Sequence, residues 1–192
     1  ICVSAAVKTY LEKQMWWGTD KLVTVYKGHD LAWYQQPAAD LGALNLPSGA
    51  FKVAMVANLR AHKGLHVLIA ATHYLPDEAP IHILLVGPKP DDPAVLQAIS
   101  KAAHPERIHV LGYRDDAPEV AAASDIIVLP TTKREGLARA VVEAMAYGRP
   151  AVISNSGGNA ELVADGESGF VVPVNDPKAL AEGITKLWAN PE

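Results

Sequence analysis

The chain has one cysteine, Cys2, in 192 residues. That excludes an internal disulfide framework and a zinc site built on cysteines. No apolar run approaches the ~18 residues of a spanning helix, so no membrane span is expected. There is no surplus of positive charge either. The formal net charge is −4, which gives no reason to expect nucleic acid or an anionic membrane surface as a partner. Lys8, Glu12 and Lys13 break up the start, so no secretory signal is read there, and the default expectation is a cytoplasmic compartment. No Gly-x-Gly-x-x-Gly follows a strand and no Walker A sequence is present, which argues against a dinucleotide-dependent dehydrogenase and a P-loop enzyme. Ser154 and Ser156 carry no sign of a nucleophile elbow. His62 and His66 stand four apart, a spacing that can hold a metal on a helix. No third ligand lies near them in sequence, and no metal site is expected. His82 and His109 fall within predicted strands and read as satisfied there.

What the chain does have is alternation. At 49% hydrophobic, with 14 glycines and 14 prolines, it reads as a globular α/β protein with many turns, in one large or two small domains. From Phe51 onward, strand and helix patterns alternate, the signature of a parallel sheet covered on both faces. Strands are predicted over 52–57, 81–87, 108–112, 125–129, 151–153 and 169–172. Helices are predicted from 63 to about 74, from about 93 to 103, over 117–123, over a short stretch from 157, and over 176–188. The last has Asp176 as its cap and Pro177 at its first position. The fold class is therefore α/β, a Rossmann-like parallel sheet with helices on both faces.

The stretch from Glu135 to Pro150 stands out. Leu137, Val141 and Met145 recur every four residues, with Ala140 and Ala144 between them. This predicts a helix with one small, apolar face, stopped by Gly148 and Pro150. Ligands of open α/β sheets sit beyond the carboxyl ends of the strands, where the loop 130–136 would lie. Glu135 stands at the mouth of this helix. Glu143 follows about 2.2 turns later, on roughly the same side. A dipole-favoured carboxylate followed by a solvated one would give the same spacing. Glu143 lies between Val142 and Ala144, however, in a helix that reads as largely buried, where a carboxylate needs a partner. Gly136 leaves the amides at the helix start open to phosphate. Lys63, followed by Gly64, has the wrong sign for a helix start. It is either a solvated surface lysine or one that serves a ligand.

Glu135-x7-Glu143, followed by Ala144-Met145-Ala146-x-Gly148-x-Pro150, resembles the retaining GT-B glycosyltransferases of the group 1 (family 4) type. From about Phe51 to Trp188 the chain resembles their carboxyl-terminal, nucleotide-sugar-binding domain. The resemblance implies transfer of a sugar from a nucleotide diphosphate sugar to an acceptor hydroxyl, with retention and without a metal or other cofactor. Lys63 matches the family lysine that binds the donor diphosphate. The family arginine usually lies five residues earlier, where this chain has Asn58, and Arg60 stands two positions later. Gly87-Pro88 and Gly112-Tyr113-Arg114 match loops that flank the nucleotide base through backbone groups, although as glycine turns they would look the same in any sheet. The amides of Gly136 and Leu137 would face the phosphates, Glu143 the ribose hydroxyls, and Glu135 a hydroxyl of the donor sugar. Gly157-Gly158 with Glu161 resembles the glycine pair near the donor. Glu135 and Lys63 are the expected catalytic residues.

At the start, Ser4 caps a predicted helix over 5–15, and residues 22–26 read as a strand. This unit resembles the end of the family's amino-terminal domain. The expected organisation is a remnant of that acceptor domain over 1–30, a linker over 31–50, and the donor domain over 51–192. Trp16 and Trp17 are then either ordinary core residues or residues that packed on the absent part. The expected partners are a nucleotide sugar, an acceptor glycan, lipid or small molecule, and the missing acceptor domain. The expected setting is polysaccharide or glycoconjugate biosynthesis, with the full-length protein membrane-peripheral at most. Two other readings share these features: a nucleotide-sugar-binding module without catalysis of its own or half of a two-chain enzyme, and a GT-B epimerase.

Overall fold

The computed structural model describes residues 1–16, 18–58, 60–87 and 89–190. Trp17, Leu59 and Pro88 lie outside the described residues. Six strands form one parallel sheet: β1 (Phe51–Val56), β2 (Ile81–Val86), β3 (Ile108–Gly112), β4 (Ile126–Leu129), β5 (Ala151–Ser154) and β6 (Gly169–Val172). Their order is β3-β2-β1-β4-β5-β6. The direction of winding reverses between β1 and β4, which pair through Val53↔Ile126 and Ala54↔Ile127.

Burial on both faces explains the apolar runs. Along β4, Ile126 and Val128 join one core with Val53, Met55, Leu68 and Leu180. Ile127 and Leu129 point the other way and join Val141, Ala144 and Ile153. The first face carries α2 (Leu65–Ala71), α3 (Pro93–Ile99) and α6 (Pro177–Ala189); the second carries α4 (Ala117–Ala123) and α5 (Arg139–Ala146). α6 begins as read from sequence, with the Asp176 carboxylate accepting from Ala179 N at 2.9 Å.

Four predicted elements need correction. Residues 22–26 form no strand. Thr24 makes an isolated parallel bridge with Cys2, and Val23 and Val25 are exposed, so the β-branched run has no sheet to join. The helix predicted from 63 starts at Leu65, and Lys63 instead ends a 3-10 turn, Ala61–Lys63. At its far end, Thr72 Oγ1 donates to Ile69 O at 2.6 Å, and the helix tightens into a 3-10 turn, Thr72–Tyr74. The helix predicted from the Glu135 stretch starts only at Arg139. Glu135 is held in an isolated parallel bridge with Gly157, and that extended pairing is incompatible with helical backbone. The short helix predicted from 157 is a 3-10 turn, Gly158–Glu161.

The amino-terminal helix α1 (Ala5–Gln14) has Ser4 as its cap, as expected. Trp16 is 91% exposed and is not a core residue. No described helix is long and apolar enough to cross a membrane.

Candidate functional site

The loops that leave β1 and β4 emerge side by side at the carboxyl edge, at the winding reversal where open α/β sheets bind ligands. The strand order thereby brings Lys63 to Glu135. Lys63 Nζ donates to Glu135 Oε1 at 2.5 Å, with both side chains mostly buried. The two loops are tied by backbone as well. His62 O accepts from Thr132 N at 2.8 Å and from Thr131 Oγ1 at 2.8 Å. Asn58 and Arg60 are exposed at the mouth of the β1 loop. Arg60 O accepts from Lys63 N at 2.8 Å, which places the lysine.

The β4 loop is braced from behind by residues of β5 and the turn after it. Ser154 Oγ donates to Thr131 O at 2.5 Å and Ser156 Oγ to Lys133 O at 2.6 Å. The fully buried Asn159 accepts from Ala138 N at 3.0 Å. Gly158 N donates to Glu135 O at 2.9 Å. Among the described residues, the amides of Gly136 and Leu137 donate to no backbone carbonyl. They are unpaired donors beside the Lys63–Glu135 pair, an arrangement suited to an anion.

Glu143 does not share a helix face with Glu135, because Glu135 precedes the helix. Its carboxylate is buried, with the side chain 8% exposed, and accepts from Arg139 Nε at 2.5 Å one turn earlier. Tyr34, in the 3-10 turn Leu31–Tyr34, packs nearby, and its ring meets Tyr147 edge-on at 5.9 Å. Burial and the negative charge of Glu143 push the Tyr34 phenol up. Tyr34 OH also pairs with His29 Nδ1 at 2.5 Å.

Gly87 and Gly112 meet at the ends of β2 and β3, where Gly87 N donates to Gly112 O at 2.8 Å. Tyr113 is 80% exposed at this edge. Arg114 is committed to Asp116 through two bonds, at 2.7 and 2.6 Å. This pairing raises the guanidinium and lowers the carboxyl. The loop therefore offers backbone and the Tyr113 ring to a ligand, while the Arg114 charge is already neutralised.

The profile of the family "Glycosyl transferases group 1" matches residues 39–192. The chain belongs to the group 1 glycosyltransferases. It is 30% identical to spore coat protein SA of Bacillus subtilis, over 90% of this chain and 50% of that protein. It is 32% identical to alpha-maltose-1-phosphate synthase of Mycolicibacterium smegmatis, over 90% of this chain and 49% of that protein. Among solved structures it resembles Anabaena HepE in complex with UDP and glucose, with a TM-score of 0.85 and 28% identity, over 98% of this chain and 53% of that one. The chain thus spans about half the length of these relatives. The sheet and its flanking helices match GT-B glycosyltransferase structures.

In this glycosyltransferase-family chain a cleft of about 430 Å³ lies away from the edge just described. It opens at the amino edge, between Phe51, Asp125, Arg149 and Glu167. The carboxyl edge is identified by its converging charges and unpaired amides, not by enclosure. Among the described residues, no three metal-ligating side chains cluster. Sequence reasoning missed Thr131, Ser154, Ser156, Asn159 and Arg139. The hydroxyls and the amide act through backbone at long range, which no spacing reveals. Arg139 was legible as the i−4 neighbour of Glu143.

Proposed function

We propose that the chain is the donor-binding half of a retaining glycosyltransferase that moves a sugar from a nucleotide diphosphate sugar to an acceptor hydroxyl. The observation that carries this reading is the meeting of Lys63 and Glu135 at the winding reversal, beside the free amides of Gly136 and Leu137. In the proposed step, the bond from the anomeric carbon to the diphosphate oxygen breaks. The acceptor oxygen bonds to that carbon on the same face, and the acceptor proton leaves with the departing diphosphate. Lys63 and the two amides stabilise the charge that develops on the leaving group, with Arg60 near enough in sequence to join them. Glu143 accepts from the ribose hydroxyls and Glu135 from a sugar hydroxyl. Gly87, Gly112 and Tyr113 line the base. No metal is required in this scheme, because cationic side chain and amides supply the electrostatics. The complexes of HepE with UDP and with UDP-glucose support a uridine donor.

On this reading residues 51–192 form the donor domain, 31–50 a linker, and 1–30 the end of an acceptor-side domain. A second reading is a nucleotide-sugar-binding module without catalysis of its own, or half of a two-chain enzyme. The experiment is a thermal-shift series with UDP, GDP, ADP and their glucose conjugates. A ligand at a hundred times its dissociation constant adds about 2.7 kcal/mol of stability. No shift with any of them at saturation overturns the proposal. Sugar transfer to a panel of acceptors by the chain joined to an acceptor-side domain separates the first reading from the second.

A further inference from the structure

The turn that carries Glu135 is not held by its own sheet alone. Glu161 ends the 3-10 turn Gly158–Glu161 and reaches away from the sheet to the start of α1. Its Oε2 accepts from Ala5 N at 3.0 Å, and its Oε1 from Ala6 N at 2.7 Å. Tyr26 OH donates to Oε2 at 2.7 Å. Two of the amides that a helix leaves unpaired at its start are satisfied in this way, and Ser4 Oγ accepts from a third, Val7 N, at 3.2 Å. Burial raises the Glu161 carboxyl, but the bonds from Ala6, Tyr26 and Ala5 outweigh it and leave the group below its ordinary value.

The first ten residues lie directly on the donor turn. A Cβ added to Gly158 would stand 1.9 Å from Gly136 O and 2.5 Å from Ser4 Oγ. A Cβ added to Gly136 would stand 2.8 Å from Val3 Cγ2. The Arg134 guanidinium lies 3.6 Å over the Tyr10 ring. Val3, Ser4 and Tyr10 therefore form a floor under residues 134–136 and 158. Glu161 is the charged tie that fastens this floor to the same short turn whose Gly158 amide holds Glu135.

We propose that Glu161 is a positioning residue for the donor site: by clamping Ala5, Ala6 and Tyr26, it seats the first ten residues against the donor turn and fixes Glu135 and the Gly136 amide in place. The effect on ligand affinity rests on the donor-site reading above, whereas the clamp itself does not. Glu161 touches no reacting atom in this scheme.

The test compares the 192-residue chain with Glu161→Gln and Tyr26→Phe, by residue-resolved amide exchange and by binding of UDP and UDP-glucose. In Glu161→Gln, the amides of Ala5 and Ala6 exchange faster, and so do those of Gly158 and Ala138, which hold the donor turn. The amides of Met55 and Val128 in the sheet core stay protected. Affinity for UDP-glucose falls about tenfold, equivalent to 1.4 kcal/mol. Tyr26→Phe removes one of the three bonds, keeps the ring, and shifts the same amides by less; it decides the matter if Glu161→Gln does not fold. Faster exchange confined to Ala5 and Ala6, with unchanged affinity, overturns the proposal and leaves Glu161 a local helix cap. Equal loss of protection at Met55 and Val128 overturns it too, because Glu161 would then support the whole fold. If the parent chain binds neither ligand, the donor-site reading fails, and the exchange at Gly158 and Ala138 still decides the clamp.

Discussion

Lys63 Nζ and Glu135 Oε1 stand 2.5 Å apart although 72 residues separate them in the chain. They meet because β1 and β4 are adjacent strands on either side of the winding reversal. In the absence of ligand, each neutralises the other. On the proposed donor-site reading, a diphosphate competes with Glu135 for the Lys63 ammonium, and a weakened pair leaves that carboxylate available to a sugar hydroxyl. The two residues should respond oppositely. Lys63→Ala removes a charge-assisted bond of roughly 1.5–3 kcal/mol and should weaken UDP by tenfold or more while sparing uridine. Glu135→Gln removes the competitor for Lys63. It should leave UDP binding unchanged or tighter and weaken UDP-glucose. Titration calorimetry with the three ligands gives the answer, and parallel losses for UDP in both variants would contradict the exchange.

Glu143 is held differently, and its variants should separate stability from binding. Arg139→Ala leaves a buried carboxylate without its partner. The cost should be about 1–3 kcal/mol, the penalty of an unsatisfied buried group, read as a lower denaturation midpoint at unchanged slope. Glu143→Gln removes the charge at almost constant shape, so stability should change less than in Arg139→Ala. Its binding defect should be equal for uridine and UDP, because a ribose ligand does not see the phosphates. A loss confined to UDP would place Glu143 at the diphosphate instead.

The sheet was legible because parallel strands buried on both faces are written as short apolar runs, as Ile126–Leu129 and Ile81–Val86 show. Caps were legible where side chain and helix are neighbours, as at Ser4 and Asp176. The strand expected over 22–26 was not a strand, because β propensity is realised only against a partner strand, and Thr24 finds only Cys2. The start of α5 was misplaced for a related reason. Glu135 obeys a tertiary pairing with Gly157 over the local helical pattern. Motif resemblance singled out Lys63 and Glu135, and the strand order brings them together. Glu143 and Arg114 are each tied to a neighbour in sequence, Arg139 and Asp116. The bracing by Ser154, Ser156 and Glu161 joins residues far apart in the chain and could not be read from periodicity.

Gly157 should report on that bracing. Its φ is 64°, and a Cβ there would stand 2.1 Å from Glu135 O. Gly166 has a φ of 81° with open space around it. Gly166→Ala should cost only the backbone term, about 1–2 kcal/mol for a left-handed residue with a side chain. Gly157, with ψ at −134°, lies outside the left-handed helical region in a conformation essentially restricted to glycine, so Gly157→Ala carries a larger backbone cost and must also push Glu135 away. It should cost more in chemical denaturation, and it alone should weaken UDP-glucose. Equal stability losses with intact binding would show that the donor turn tolerates displacement.

The final prediction concerns acid. His82 and His109 sit on adjacent strands, and His82 Nδ1 and His109 Nε2 are 3.0 Å apart. Ring centroids 5.3 Å apart and planes within 26° suit one N–H···N bond between two neutral rings, or a pair carrying one proton. Burial and the neighbouring His109 hold His82 below its ordinary value, and burial does the same for His109. The folded state therefore binds these protons later than the unfolded chain, whose histidines titrate near 6.5. Where the unfolded state binds more protons, stability falls as pH falls. The contribution of the pair is thus complete above about pH 6.5 and is lost progressively below it. The depressed carboxyls of Asp116 and Glu161 begin to matter only below their ordinary carboxylate range, so the window from about pH 6.5 to 5 reports on histidine. The melting temperature should drop across that window, by about 2–4 °C for each kcal/mol lost in a chain of this size. His109→Gln removes one titrating ring and leaves His82 a polar partner, so it should flatten the drop. A drop of unchanged steepness in His109→Gln would assign the acid sensitivity to groups outside the pair.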